Sequence, residues 1–152
     1  SLELAVGGPN VPRDRLREHG WSVIHALEPT RDPWTYQNCM QQSVGEFTIA
    51  KQGYVATRCG WVSERSAHYL ASGRAVITQD TGFPKVLPTG EGLFAFDDPD
   101  SALTALEAVA SDPQRHGDSA RQVAAEYFDA KRVLADLVLR AMQADITGTQ
   151  TS

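Results

Sequence analysis

Short apolar runs separated by longer stretches of helical periodicity constrain this chain more than any other feature. That alternation packs as parallel strands joined by crossover helices, the mark of an α/β domain. Leu2–Val6, Trp21–His25, Glu46–Ala50, Ala75–Gln79 and Leu93–Phe96 read as strands. Helices are expected over Pro12–His19, from Trp34 to about Ser43 and over Glu64–Ser72; three more follow the last strand, one opening at Asp98-Pro99, then Pro113–Tyr127 and Ala130–Ala144. Asp32-Pro33 and Asp98-Pro99 are start signals, an N-cap carboxylate followed by proline at the first helical position, and Ser63 is a third N-cap. Gly20 and Gly73 are stop signals. In the helix after Asp98, Ala102, Leu103, Leu106, Val109 and Ala110 are expected as one buried stripe, and in the last helix Val133, Leu134, Leu137, Val138 and Ala141.

A chain of 152 residues, 41% of them hydrophobic, buries enough surface to fold without disulfides or a structural metal. It reads as one domain over residues 1–145 with a fraying tail over 146–152. The strand that starts almost at residue 1, with no leading loop, reads as the opening of a fragment. Cys39 and Cys59 lack Cys-x-x-Cys spacing and no His pair stands near them, so a structural zinc site is not expected; Asp98-Pro99-Asp100, the nearest approach to an Asp-x-Asp metal motif, reads as a helix cap, and no metal or resident cofactor is expected. A formal net charge of −5 with no extended basic cluster argues against nucleic acid and anionic membranes as partners. No run approaches the length of a membrane span and the first residues of this sequence show no basic n-region followed by an apolar h-region, so the expected location is cytoplasmic.

Tyr54 to Phe83 is the informative block: a strand end, a glycine turn, a serine-capped helix, a glycine stop, a strand and a second glycine turn. The helix start at Ser63 offers unpaired backbone N–H groups and the positive end of a helix dipole. Gly60 allows close approach, and Arg58 and Arg65 flank the turn, a combination suited to phosphate. In open parallel sheets, ligands bind beyond the carboxyl ends of the strands. Gly7-Gly8, the Arg58–Ser63 turn and the Asp80–Phe83 turn are expected there. The alternative is that all three are ordinary strand-to-helix turns whose glycines serve geometry alone.

Arg58-Cys-Gly-Trp-Val-Ser63 resembles the His-Cys-Gly-Trp-Asn-Ser signature of nucleotide-sugar glycosyltransferases built from two facing Rossmann-like domains, the GT-B fold. His68-Tyr-Leu-Ala-Ser-Gly-Arg-Ala-Val-Ile-Thr-Gln-Asp-Thr-Gly82 is similar to the Glu-Ala-x-Ala-x-Gly-x-Pro-Val-Val-x-x-x-x-Gly run of the retaining, glycogen-synthase-like members. The resemblance implies a Rossmann-like, three-layer donor-binding domain, one half of a GT-B fold, whose N-terminal acceptor domain lies outside this sequence. It implies metal-independent glycosyl transfer from a nucleotide diphosphate sugar such as a UDP-sugar. Arg58, Gly60, Trp61, Ser63 and Arg65, with Gly7 and Gly8, would hold the diphosphate. Asp80, Thr81, Gly82 and Phe83 would meet the sugar. The family's ribose-binding glutamate aligns with His68, so His68 or Glu64, one helical turn earlier on the same face, is the ribose candidate. Catalytic residues are not assigned, since acceptor chemistry in two-domain relatives belongs to the other half.

A second class of reading is a non-catalytic nucleotide-binding or protein-interaction module with a degenerate site, as His68 in place of a carboxylate suggests. A response-regulator-like domain is disfavoured because Gly7-Gly8-Pro9-Asn10 carries no acidic pair. Trp34 and Tyr36 are expected in core or interdomain packing, and Cys39 as a small buried hydrophobe.

Overall fold

The structure is a computed structural model that describes residues 2–148, with side chains described as far as residue 143. It is α/β with every strand pair parallel, but the strands form two sheets rather than one. Where the sequence suggests a single domain over 1–145, the chain divides into two compact units, residues 1–42 and 43–152.

The first unit pairs β1 (Glu3–Val6) with β2 (Ser22–His25) through the crossover helix α1 (Arg13–Glu18). Its second helix, α2 (Pro33–Gln42), begins as the Asp32-Pro33 signal predicts. The Asp32 carboxylate accepts the N–H groups of Trp34 and Thr35, both at 2.9 Å, which satisfies two of the donors that a helix start leaves open. Trp34 is 78% exposed, so within this unit it is not the packing residue that its size suggests. Cys39 is half-buried.

The second unit holds β3 (Gly45–Thr48), β4 (Ala75–Gln79) and β5 (Leu93–Phe96) in that spatial order. Alternate residues of a strand face opposite sides, and β4 at the centre is buried on both. Val76 joins Leu70, Phe83, Leu93, Ala120 and Val123 on one face. Ala75 and Ile77 join Phe94, Phe96, Ala102, Ala105 and Val109 on the other. The helices of these two layers are α4 (Glu64–Ala71) with α6 (Pro113–Tyr127) on the first face and α5 (Pro99–Ser111) on the second. Three layers result within this unit.

Four expectations are corrected. The segment at Tyr54, expected as a strand end, belongs instead to a short helix, α3 (Gln52–Thr57), started by Tyr54 and Val55 N–H groups donating to the Lys51 carbonyl. In α5 the buried stripe is Ala102, Ala105 and Val109, while Leu103 and Ala110 are exposed. Positions i, i+3 and i+7 share one face, and Leu103 stands a quarter turn around from it. The last helix, α7 (Ala130–Gly148), has its apolar stripe, yet Val133, Leu134, Leu137, Val138 and Ala141 are all exposed. A helical pattern specifies an apolar face but not what covers it. The tail expected to fray from Ile146 is helical to Gly148, and residues 149–152 lie outside the described residues.

Candidate functional site

Because β3, β4 and β5 are parallel, the segments that leave their carboxyl ends emerge on one edge of the sheet. There the sequence has two turns, Arg58–Ser63 after α3 and Asp80–Phe83 after β4. The structure brings these two turns together through main chain and side chain alike.

Arg58 ends α3 in the left-handed region at φ 48°, the one non-glycine residue with positive φ among the described residues. Its guanidinium Nη2 donates to Asp80 Oδ2 at 2.8 Å. The other Asp80 oxygen, Oδ1, accepts the Gly82 N–H at 2.5 Å. Gly60 N–H donates to the Thr81 carbonyl at 2.7 Å, and Thr81 Oγ1 donates to the Trp61 carbonyl at 2.6 Å. Gly82, at φ 99°, lies so close to Arg58 that a Cβ there would stand 2.7 Å from the Arg58 carbonyl oxygen. Gly60, at φ 77°, has open space where a side chain would be.

Beyond the first turn, Ser63 caps α4: its hydroxyl accepts the Arg65 N–H at 3.2 Å, as its position predicts. The Arg65 side chain turns to β3, donating through Nε to Glu46 Oε1 at 2.5 Å and through Nη2 to Thr48 Oγ1 at 3.0 Å. Thr48 in turn donates to Glu46 Oε1 at 2.7 Å. Glu46 Oε2 is buried without a hydrogen-bond partner. Tyr54 of α3 stacks on Trp61, ring centroids 4.9 Å apart, and Lys51 Nζ stands 6.0 Å from the Tyr54 ring centroid.

The two ion pairs share one construction. Asp80 is 11% exposed and its arginine 49%, Glu46 5% and its arginine 48%. Each acidic side chain lies inside and each arginine side chain is half-exposed. Buried acids thereby fix two half-exposed cations next to a helix start whose own N–H groups carry partial positive charge. A rim of this kind can take an anion, with planar guanidinium donors suited to phosphate oxygens.

Of the residues singled out from sequence, Arg58, Gly60, Trp61, Asp80, Thr81 and Gly82 meet in one cluster, with Ser63 and Arg65 at the adjoining helix start. Phe83 is fully buried and its ring belongs to the core beside Leu70 and Leu93. A sugar contact through that side chain is therefore excluded, and only its backbone remains for the role. Thr81 is fully buried as well, its hydroxyl engaged by Trp61. Glu64 and His68 are exposed on α4, and His68 lines a shallow groove with Arg121 and Phe128 of the α6 side rather than the loop cluster. Gly7 and Gly8 belong to the first unit, where the Arg13 guanidinium donates to the Val6 and Gly8 carbonyls at 3.3 and 3.0 Å.

Sequence reasoning missed Glu46, Thr48 and Tyr54. Glu46 and Thr48 had a signal, two polar residues at alternate positions of a strand, which places both on one face. Tyr54 had none, because its role depends on α3. Among the described residues no group of three or more His, Cys, Asp or Glu side chains could hold a metal ion, and no helix is long and apolar enough to cross a membrane. Comparison of the chain with protein-family models, with curated proteins and with solved structures gives no match.

Proposed function

We propose that this chain is the donor-binding half of a nucleotide-sugar glycosyltransferase of GT-B type, holding the diphosphate of a nucleotide sugar at the Arg58–Ser63 turn. The observation that carries the reading is the joined pair of turns at the sheet edge, with Arg58 and Arg65 held by buried carboxylates beside the capped start of α4. The motif resemblance over Arg58–Gly82 and the parallel three-layer arrangement of the second unit support it.

In the transfer, the bond between the sugar's anomeric carbon and the β-phosphate oxygen breaks, and a bond from that carbon to an acceptor oxygen forms. Negative charge grows on the departing diphosphate. Fixed donors already aimed at that charge lower the barrier, since nothing has to reorganise as the reaction proceeds. The α4 N–H groups, the Ser63 hydroxyl and the two guanidiniums supply such donors without a metal. The acceptor and any base that takes its proton are assigned to the N-terminal domain in cis. The chain by itself then binds nucleotide and transfers no sugar.

The test is calorimetry and thermal shift with UDP, GDP, ADP, dTDP and their glucose conjugates on the chain and on Arg58→Ala. A ligand at about 100 times its dissociation constant stabilises by about 2.7 kcal/mol. Binding of one nucleotide, weakened but still measurable in Arg58→Ala, is expected; silence across the panel refutes the reading. A non-catalytic nucleotide-binding or interaction module is the second reading, favoured by the placement of His68 in the α4–α6 groove. It predicts no sugar transfer even when the acceptor domain is supplied, with nucleotide binding retained in a nucleotide-binding module and absent in an interaction module.

A further inference from the structure

We propose that Asp80 is a positioning residue of the anion site, acting on a bound diphosphate through the Arg58 guanidinium and not by touching the donor sugar. The inference rests on the nucleotide reading above and departs from the sugar-contact role that the motif suggests for this carboxylate.

Both Asp80 oxygens are engaged, and by partners of different kinds. Gly82 N–H holds Oδ1 at 2.5 Å, an Asx-type turn that fixes the side-chain torsion. Oδ2 is thereby aimed at Arg58 Nη2, 2.8 Å away. The Asp80 side chain is nearly buried while the Arg58 side chain is half-exposed, so the anchor lies inward of the arginine. The Arg58 main chain is referenced to the same turn, because its carbonyl packs against Gly82. Arg58 is thus met at its guanidinium by Asp80 and at its carbonyl by Gly82, while Thr81 between them ties the same turn to Gly60 and Trp61. An arginine loses considerable rotamer freedom when ordered. Ordering it in the free protein removes that cost from ligand binding.

Asp80→Asn isolates the effect. Its amide oxygen still accepts the Gly82 N–H, but its nitrogen, facing Arg58, is a donor and cannot accept. The experiment is a double-mutant cycle of Asp80→Asn and Arg58→Ala, with binding measured by calorimetry. The probes are whichever of UDP, GDP, ADP or dTDP binds and its glucose conjugate. Asp80→Asn is expected to weaken the plain diphosphate and the sugar conjugate by the same factor, about tenfold. In the Arg58→Ala background it is expected to change neither. Asp80→Ser, whose hydroxyl also accepts from the residue two positions on, replaces the asparagine if that variant melts early. A loss confined to the sugar conjugate makes Asp80 a direct sugar ligand and overturns the proposal. An equal loss with and without Arg58 makes Asp80 a scaffold of the turn and overturns it too. Tighter binding shows Asp80 competing with the ligand, again against it. A wild-type chain that binds none of the four diphosphates refutes the nucleotide reading itself, and the proposal falls with it.

Discussion

Gly82→Ala tests how closely the two turns of the site are joined. The residue has φ 99°, and an added Cβ meets the Arg58 carbonyl oxygen at 2.7 Å and its carbon at 3.1 Å. The dihedral alone costs an L-residue about 1–2 kcal/mol. Both clashing atoms are main chain, so relief requires a backbone shift rather than a rotamer change, at about 1–3 kcal/mol more. The total is about 3 kcal/mol. Gly60→Ala is the matched control in the neighbouring turn: φ is 77°, yet no atom lies within 4 Å of the added methyl, so it bears only the dihedral cost of about 1 kcal/mol. For a unit of this size each kcal/mol moves the melting temperature by about 4 °C. Thermal unfolding followed by near-ultraviolet dichroism should therefore show Gly82→Ala about 12 °C below wild type and Gly60→Ala about 4 °C below. If the two variants melt within about 2 °C of each other, the close approach of Gly82 to Arg58 is refuted.

Other residues give sharp expectations as well. Arg65→Met leaves the buried Glu46 carboxylate without its cation, a loss of about 3 kcal/mol to be read from the urea midpoint at pH 7; an unchanged midpoint would count against the pair. Asp98, the N-cap of α5, has its carboxyl held below the ordinary value of 3.8, first by the Ser101 N–H and then by the Ser101 hydroxyl. Its stabilisation is present above the unfolded-state value and is lost as pH falls through the lower folded value. Asp98→Asn should accordingly lose less stability than wild type as pH falls below the ordinary value of 3.8, measured as urea midpoints, and parallel curves would refute the assignment. Burial, with a smaller contribution from Glu3, pushes the Cys39 thiol up from 9.0, whereas Cys59 is exposed. Alkylation at pH 8 followed by mass spectrometry should label Cys59 first, because the thiolate is the reacting form.

The candidate site was partly legible before any coordinates. Ser63, Asp32 and Asp98 act as caps where the sequence places them, because a cap involves residues two or three apart and needs no distant partner. The two glycine turns of the site were visible for the same reason. Their pairing was not. Arg58 and Asp80 stand 22 residues apart, Glu46 and Arg65 19 apart, and the register that joins them depends on which strands lie side by side.

Local chemistry therefore determined the elements: four-to-five-residue apolar runs became strands, and capped amphipathic stretches became helices with bounds close to those the caps predict. Tertiary structure decided which apolar faces are covered. It put Phe83 into the core and left the α7 stripe exposed, although both are apolar in the sequence. It divided the strands between two sheets and made a helix of Gln52–Thr57, six residues whose helical state is secured by the Lys51 carbonyl and accompanied by the stacking of Tyr54 on Trp61. The physical reason is one of range. Hydrogen-bond capping and hydrophobic periodicity act within a turn or two of chain, whereas burial and ion pairing depend on residues that only the folded backbone brings near.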